Sequence, residues 1–251
     1  MTSKNLGTGN ARNVIGAIKV KADSHKAVVH ARYFKTGKGH YGEGDIFLGL
    51  TVPIQHVIAK QYTNLELSEI SILLKSPIHE HRSVGLMILV MRFERSVKNK
   101  VNKKELADIV RFYLAHKKWV NNWDLVDGSA RDILGEYLLI TSVDRKILYT
   151  LARSKVLWNK RIAIVATYAF IRKGQFADTF AISRILMKDS HDLIHKAVGW
   201  MLREVGNRSQ TAEEKFLKKE ASVMPRTMLR YAIEKFTPAK RAFYMNIKRV
   251  Y

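Results

Sequence analysis

One amphipathic helix is predicted by the stretch DLIHKAVGWMLREVGNR, residues 192–208. Its apolar residues recur at i, i+4, i+7, i+8 and i+11, the spacing of a single buried helical face. Trp200 lies away from that face, on the same side as Lys196 and Arg203, because successive residues are rotated by about 100°. The largest apolar side chain of this helix is therefore predicted to lie among its charged residues. The buried face consists of Ile194, Val198, Met201, Leu202 and Val205.

Amphipathic segments of this kind follow one another along the whole chain. Each of the four prolines lies where a helix starts or between two helices, and no run of alternating apolar and polar residues predicts a strand. The sequence therefore predicts an all-α protein. The predicted helices span residues 10–20, 24–36, 53–62, 66–75, 81–97, 102–116, 128–140, 144–153, 158–173, 176–188, 191–206, 210–221, 225–235 and 238–248.

The predicted helices form pairs from about residue 66 onward, and a pair recurs roughly every 30 to 40 residues. This spacing is typical of HEAT-like helical hairpins, which stack into a solenoid and place one helix of each pair on a concave surface. We therefore expect a right-handed-type α-solenoid with a concave basic groove. No linker rich in Gly, Pro or Ser divides the chain, so we predict a single domain over residues 1–251. Within it, 1–23 is expected to form a flexible or peripheral N-terminal helix and 238–251 a basic C-terminal extension.

The chain is strongly basic, with 44 Lys and Arg against 22 Asp and Glu and a net charge of +22 over 251 residues. Such an excess indicates an anionic partner, with nucleic acid first and an acidic membrane surface second. A general effect on solubility is the alternative. The hydrophobic content of 47% is enough for a substantial core. The absence of cysteine excludes disulfides, thiolate metal sites and a cysteine nucleophile.

No secretory or membrane segment is predicted. The start MTSKNLGTGNARNV has no apolar stretch of the kind found in signal peptides. The longest apolar run, VGLMILVM at residues 84–91, is too short to cross a bilayer. We therefore expect a soluble, cytoplasmic protein.

Two short motifs have only a weak similarity to cofactor or metal sites. GKGHYG, residues 37–42, has the glycine spacing of a dinucleotide fingerprint, but no strand precedes it and no acidic residue follows at the required distance. We interpret residues 36–45 as a flexible loop, in which Lys38 and His40 are placed to contact a phosphate. HEHR, residues 79–82, lacks the i, i+4 histidine spacing of a zinc site. No metal and no cofactor is predicted.

The strongest candidate for catalysis is Asp127, in the segment KKWVNNWDLVDGSARDILGEYL, residues 117–138. It precedes a predicted helix, where the helix dipole and backbone N–H groups would keep a carboxylate ionised. An ionised carboxylate there would suit the stabilisation of a positive charge. The alternative is a structural N-cap, with Trp123 and Asp124 as core and turn residues.

Cationic and aromatic residues lie together on two other predicted helices. In residues 158–173, Arg161, Tyr168 and Arg172 project to one side of the apolar stripe, as expected of a helix that grips a nucleic-acid backbone. An exposed face with snorkelling arginines is the alternative. Trp200, with a cation on either side, would form a platform for a sugar or base near phosphates, unless it packs against a neighbouring repeat.

Six blocks of the sequence carry a family resemblance. They are HARYFKTG, FLGLTVP, WVNNWDLVD, LWNKRIAIVATY, HKAVGWMLREVG and MPRTMLRYAIEKF. In this order they resemble the AlkD-like DNA alkylation repair enzymes, which are DNA glycosylases built from HEAT-like repeats. The resemblance covers about residues 24–237.

The resemblance implies an activity and the residues that perform it. The family removes positively charged alkylated purines, such as N3-methyladenine and N7-methylguanine, from duplex DNA. Asp127 matches its catalytic aspartate, and Trp123 and Trp200 match its two active-site tryptophans. We expect DNA contacts from residues that match family positions or lie beside them. The residues that match family positions are Arg161, Arg203 and Tyr33. The further expected contacts are Lys196, Arg172 and Lys118.

The resemblance further implies that duplex DNA is bound without a base-holding pocket. No lyase activity is predicted, because no single lysine stands out as a desolvated nucleophile. We expect a monomer, because a solenoid groove needs no partner chain. One departure from the family is Ala169, which occupies a position where some relatives have a lysine. Two alternatives remain, namely a non-catalytic HEAT-repeat protein that binds distorted DNA or RNA, and a HEAT-type protein scaffold. A metabolic enzyme is disfavoured, because no cofactor or metal motif is present.

Overall fold

A computed structural model describes residues 9–99 and 103–248, and its regular elements are helices. Between these limits the only β-bridge is an isolated one that joins Ile46 and Ile78. The prediction of an all-α protein is therefore confirmed. No helix in the described ranges has the length and apolar character needed to cross a membrane.

The α-helices are α1 (Ala11–Val20), α2 (Ser24–Tyr33), α3 (Val52–Gln61), α4 (Leu67–Leu74), α5 (His79–Lys98), α6 (Lys103–Ala115), α7 (Trp123–Asp127), α8 (Glu136–Thr141), α9 (Lys146–Ala152), α10 (Leu157–Ala166), α11 (Tyr168–Ile171), α12 (Ala177–Leu186), α13 (Asp192–Arg208), α14 (Gln210–Glu220), α15 (Arg226–Ala232) and α16 (Pro238–Met245). Two 3-10 turns, Lys117–Trp119 and Ile233–Lys235, and a π-helical turn, Arg131–Gly135, complete the helical elements of the described residues.

The chain divides into two compact units, Met1–Ser129 and Ala130–Tyr251. In the first unit, α5 packs against α3, α4, α6 and α7 and supplies much of the core. The N-terminal helix α1 packs against α3 and α4 and buries Val14 and Ile18 completely. Residues 11–20 of the predicted N-terminal segment are therefore part of this core, whereas residues 1–8 lie outside the described residues.

The start of α5 is buried although it is polar, and it holds the preceding loop in place. Residues 79–82, the HEHR motif, are each no more than 5% exposed. The carboxylate of Glu80 accepts hydrogen bonds from the backbone N–H groups of Leu48, Gly49 and Leu50 at 2.8–3.2 Å. A hydrogen bond to a charged acceptor contributes about 1.5–3 kcal/mol to stability. Glu80 thus fixes the path of a loop that has no regular secondary structure of its own.

In the second unit, α13 packs against α10, α12, α14 and α15. The stripe predicted on this helix from Ile194 to Val205 is confirmed, since all five of its apolar residues have no exposed surface. Gly199 lies where α13 meets α15, and a Cβ atom there would come within 2.5 Å of the carbonyl oxygen of Met228. The two helices approach this closely only because residue 199 has no side chain.

Apart from shifts of a few residues at helix ends, the helix prediction differs from the structure in three places. The prediction of one helix over 158–173 is wrong at Thr167, where the hydroxyl donates to the carbonyl of Ile164 at 2.7 Å and α10 gives way to α11. The predicted helix 128–140 begins with a turn and the π-helical segment, so its first three residues are not helical. Helix α7 lies in a stretch where no helix was predicted. C-terminal residues 238–248 form α16 and a final turn, and 249–251 lie outside the described residues.

We expect Gly199→Ala to destabilise the second unit by about 1–3 kcal/mol, because its Cβ would overlap the α15 backbone. Gly16→Ala is the matched control. It lies inside α1 with no atom within 4 Å of an added Cβ, so it should stabilise the protein by about 0.5–1 kcal/mol. Urea denaturation of both variants measures the two free energies. A neutral Gly199→Ala would show that α13 and α15 are less closely packed than described.

Candidate active site

The short helix α7 carries the candidate site residues of the first unit. Trp123 and Asp127 lie at positions i and i+4, so their side chains lie on the same face of this helix. Both residues are partly exposed. Asn122 caps the helix, and its Oδ1 accepts a hydrogen bond from the backbone N–H of Trp123 at 2.8 Å. The residue types and the spacing thus bring an indole ring and a carboxylate together at one surface.

The sequence predicted that Asp127 lies at the start of a helix, and the structure shows that it does not. It is the last residue of α7, and Ala130 occupies the N-cap position of the π-helical segment that follows. The interpretation of Asp127 as an N-cap is therefore wrong, and so is the expectation that its carboxylate lies at a helix N-terminus. Burial raises the pKa of the Tyr113 hydroxyl, and the charge of Asp127 raises it further.

An aromatic cluster surrounds Trp123. The ring of Phe34 stacks on the indole with a centroid distance of 5.2 Å and an interplanar angle of 16°. The ring of Tyr33, which is 64% exposed, meets the indole edge-on at 5.9 Å. Phe34 also stacks on Phe47 at 4.9 Å. Three of the sequence blocks, those containing Tyr33, Phe47 and Trp123, thus come together in the first unit, and Phe34 covers one face of the indole.

A buried polar cluster lies behind these rings. The ring of His79 hydrogen-bonds two carboxylates, with Nε2 at 2.8 Å from Asp124 Oδ2 and Nδ1 at 3.1 Å from Asp45 Oδ2. Asp45 also accepts hydrogen bonds from Arg82 Nη2 at 2.5 Å and from Asn122 Nδ2 at 2.9 Å. We call these five residues the His79 cluster. It connects the start of α5 to both the loop before α3 and the first turn of α7.

The His79 cluster holds its histidine in the charged form. Burial alone would lower the pKa of His79, but the hydrogen bonds to Asp124 and Asp45 outweigh it and raise the pKa to about 9. Burial alone would raise the pKa of Asp45, but the hydrogen bond from His79 and the charge of Arg82 keep it below its usual value. At neutral pH an imidazolium therefore bridges the two carboxylates.

A separate set of predicted site residues lies on α13 in the second unit. Trp200 is partly exposed. One turn before it, Lys196 Nζ lies 2.7 Å from Asp192 Oδ2, and nearly one turn after it Arg203 forms an ion pair with Glu234. The cations predicted around Trp200 are therefore present, and each has an acidic partner close by.

The remaining predicted DNA contacts have different environments. Arg161 is only 5% exposed, and its Nη1 donates to the carbonyl oxygen of Leu193 at 2.6 Å. Arg172 pairs with Glu136 and lies 5.7 Å from the ring centroid of Tyr168. Lys118 is exposed, with its ammonium group 4.1 Å from the centre of the Trp119 ring. Of these three side chains, only Arg172 and Lys118 offer charge at the surface.

The predicted site residues thus form two sets, one in each unit. The set in the first unit is Tyr33, Lys118, Trp123 and Asp127, and the set in the second unit is Arg161, Arg172, Lys196, Trp200 and Arg203. Sequence analysis missed the His79 cluster, because HEHR was judged only against the spacing of a zinc site. The sequence carries no signal that these four polar residues are buried, because their partners Asp45 and Asp124 lie 34 and 45 residues away.

Loop 36–45 is not part of a nucleotide-binding fold. Gly39 and Gly44 have positive φ angles of 78° and 85°, as tight turns require, and the loop ends at Asp45 in the His79 cluster. In the part of the chain that the structure describes, no group of three or more His, Asp or Glu side chains is arranged to hold a metal ion.

Comparisons with known proteins agree with the resemblance seen in the sequence. The model of a family described as DNA alkylation repair enzyme matches residues 14–236. Among solved structures, a protein from Enterococcus faecalis described as a predicted DNA alkylation repair enzyme is similar in fold, with a TM-score of 0.68 and 16% sequence identity, over 86% of this chain and 97% of that chain. A search of the curated proteins finds no match.

We expect the stability of the protein to fall as the pH rises from about 6.5 to about 9, because His79 has a pKa of about 9 when folded and an ordinary value of 6.5 when unfolded. Its contribution is complete below pH 6.5 and is lost as the pH rises through 9, with a slope of at most about 1.4 kcal/mol per pH unit. Urea denaturation across this range measures the slope. The variant His79→Gln should lack the fall between pH 8 and 9 and keep only the part of the slope below pH 8 that comes from Glu213.

Glu213 gives the control for this titration. Burial raises its pKa from 4.5 to about 8, so its contribution to stability is lost between these two values. Glu213→Gln should therefore flatten the curve below pH 8 and leave the fall between pH 8 and 9 intact. A wild-type stability that is constant from pH 8 to 9 would contradict an imidazolium at His79.

Proposed function

Because the chain belongs to the family of DNA alkylation repair enzymes, we propose that it is a monofunctional DNA glycosylase. Its substrates are cationic alkylated purines in duplex DNA, of the N3-methyladenine and N7-methylguanine type. The observation that carries the proposal is the pairing of Trp123 with Asp127 on one face of α7, beside the exposed ring of Tyr33. These are the residues that the family resemblance assigns to the reaction.

The proposed chemistry is hydrolysis of the N-glycosidic bond. Alkylation at N3 or N7 makes the purine a cation, so the bonding electrons move to the base as the C1′–N bond breaks, and no acid is needed to protonate the leaving group. The deoxyribose becomes an oxocarbenium ion. The carboxylate of Asp127 stabilises this charge and orients a water molecule. The water oxygen bonds to C1′, and its proton passes to the carboxylate or to solvent.

The indole rings are proposed to hold the sugar rather than the base. Phe34 stacks on one face of Trp123 and Tyr33 meets the ring at 5.9 Å, so a ligand would contact the part of the indole that these two rings leave exposed. A cationic sugar is attracted to the electron-rich face of an indole. Trp200 would act in the same way in the second unit. The sequence offers no set of side chains suited to the edges of a base, which fits an enzyme that tolerates groups projecting from the lesion.

The phosphates are proposed to be bound by exchange of ion-pair partners. Lys196 and Arg203 already pair with Asp192 and Glu234, and a phosphate would replace or share these carboxylates. Surface ion pairs are worth only about 0–1 kcal/mol, so the exchange costs little. Arg161 is buried and donates a hydrogen bond to the carbonyl oxygen of Leu193. We propose that it supports the first turn of α13. A direct contact between Arg161 and DNA remains a prediction from the family resemblance.

We expect Asp127→Asn to slow the release of methylated base by about 100-fold or more, while the affinity for the DNA stays within about threefold. The amide keeps the shape of the carboxylate and removes the charge that stabilises the oxocarbenium ion. Single-turnover release of free base from duplex DNA containing N7-methylguanine, followed by chromatography, measures the rate.

Asp108→Asn is the matched control for this variant. It makes the same change on α6 in the first unit, where Asp108 pairs with Arg111, and the rate of base release should stay at the wild-type value. Equal rates in wild type and Asp127→Asn would remove the catalytic role of Asp127. No base release by the wild type, with DNA bound normally, would favour the alternative of a non-catalytic DNA-binding protein.

We expect Lys196→Ala and Arg203→Ala to weaken DNA binding equally for all sequences, because binding to a phosphate does not depend on the base. Removing one cation that binds a phosphate should reduce the slope of log Kd against log salt by about 0.9. Lys146→Ala is the control, since Lys146 is 88% exposed on α9 and pairs with Asp144. Fluorescence anisotropy over a salt series measures the slopes, and identical slopes in all four proteins would refute the proposed role of Lys196 and Arg203.

A further inference from the structure

We propose that His79 is a positioning residue for the reaction, and that it acts by fixing Asp124 and with it the first turn of α7. The proposal rests on the proposed function of Trp123 and Asp127. His79 is 2% exposed, lies behind the aromatic cluster and is not suited to touch DNA. Its hydrogen bond to Asp124 spans 45 residues of sequence and joins α5 to the helix that carries the proposed catalytic pair.

Helix α7 depends on outside contacts for its position. It has five residues, far fewer than the roughly 12–15 that an isolated helix needs to be even marginally stable in water. Three of the contacts that tie it to the rest of the unit are polar or aromatic: Asn122 Nδ2 donates to Asp45, His79 Nε2 binds Asp124, and the ring of Trp123 stacks on Phe34. His79 takes part in or adjoins all three, because it also binds Asp45 and packs against Phe34 at 5.1 Å.

The bond from His79 is the one that holds the Asp124 side chain. Asp124 Oδ1 is buried and has no hydrogen-bond partner among the described residues, so Oδ2 carries the side-chain contact to His79. Asp45, by contrast, accepts two further bonds, from Arg82 and from Asn122. Loss of the His79 bond would therefore free Asp124 while Asp45 remains held.

This asymmetry separates a positioning role from a general structural one. The amide nitrogen of asparagine falls near the position of histidine Nδ1, and that of glutamine near Nε2. His79→Asn can thus keep the bond to Asp45 and lose the bond to Asp124. His79→Gln can keep the bond to Asp124 and lose the bond to Asp45. Each variant removes the same positive charge and one of the two bonds.

The test compares these two variants in single-turnover base release at saturating enzyme and in DNA affinity. We expect His79→Asn to lower the maximal rate by at least about tenfold with Kd within about threefold of wild type, and His79→Gln to stay within about threefold in both quantities. His81→Asn is the control, since His81 is buried on the same helix and binds Ser76 instead of α7. It should lower stability without changing the maximal rate.

Hydrogen exchange gives a readout that does not depend on activity. In His79→Asn the backbone amides of residues 122–128 should exchange at least about tenfold faster than in wild type, whereas in His79→Gln their exchange should stay close to that of wild type. Equal rates and equal exchange in the two variants would overturn the proposal, and so would a greater loss in His79→Gln. If His79→Asn does not fold, the result for His79→Gln decides, because loss of its maximal rate with folding intact contradicts the role of the Asp124 bond.

Failure of the proposed function would look different. If wild type releases no base, the glycosylase proposal fails, while exchange at residues 122–128 still reports whether His79 holds α7. If wild type is active and the two variants are alike in both measurements, the positioning role fails and the glycosylase proposal stands.

Discussion

One imidazolium between a buried carboxylate and a partly exposed one is the interaction on which the first unit depends. His79 joins Asp45, at the end of the glycine-rich loop, to Asp124, in the first turn of α7. Removing a charged pair from water costs several kcal/mol per ion, and here the cost is offset by hydrogen bonds that use both ring nitrogens. The arrangement holds in place a loop that has no regular secondary structure and a helix of five residues that would not be stable alone.

Glu80, the residue that follows His79 at the start of α5, holds the preceding loop in place. Glu80 satisfies three consecutive backbone N–H groups of the loop at 48–50, which would otherwise be buried without partners at about 1–3 kcal/mol each. Phe47 in this loop then stacks on Phe34, and Phe34 on Trp123. A polar helix start thus positions an aromatic surface from behind, and the exposed side of that surface remains available for a ligand.

The second unit uses a different principle, in which an all-apolar helix face sets the position of Trp200. The stripe from Ile194 to Val205 is buried, and Gly199 lets α15 approach the backbone of α13. This packing fixes which side of α13 remains at the surface. The cations on that side are paired with carboxylates, so a chain with a net charge of +22 presents less free charge around Trp200 than its composition suggests.

The sequence by itself determined the features that depend on local periodicity and composition, namely the all-α class, the buried stripe of α13, the placement of Trp200 among cations, and the basic charge that indicates an anionic partner. The resemblance added the family and the pair of Trp123 and Asp127. Only the tertiary structure decided that Asp127 ends a helix instead of starting one, that Arg161 is buried against Leu193, and that HEHR is a buried anchor. These features depend on partners 32 to 45 residues away in sequence, or on a five-residue helix that only such partners stabilise. Helical periodicity extends over a few turns and does not specify which distant carboxylate or carbonyl a side chain will meet.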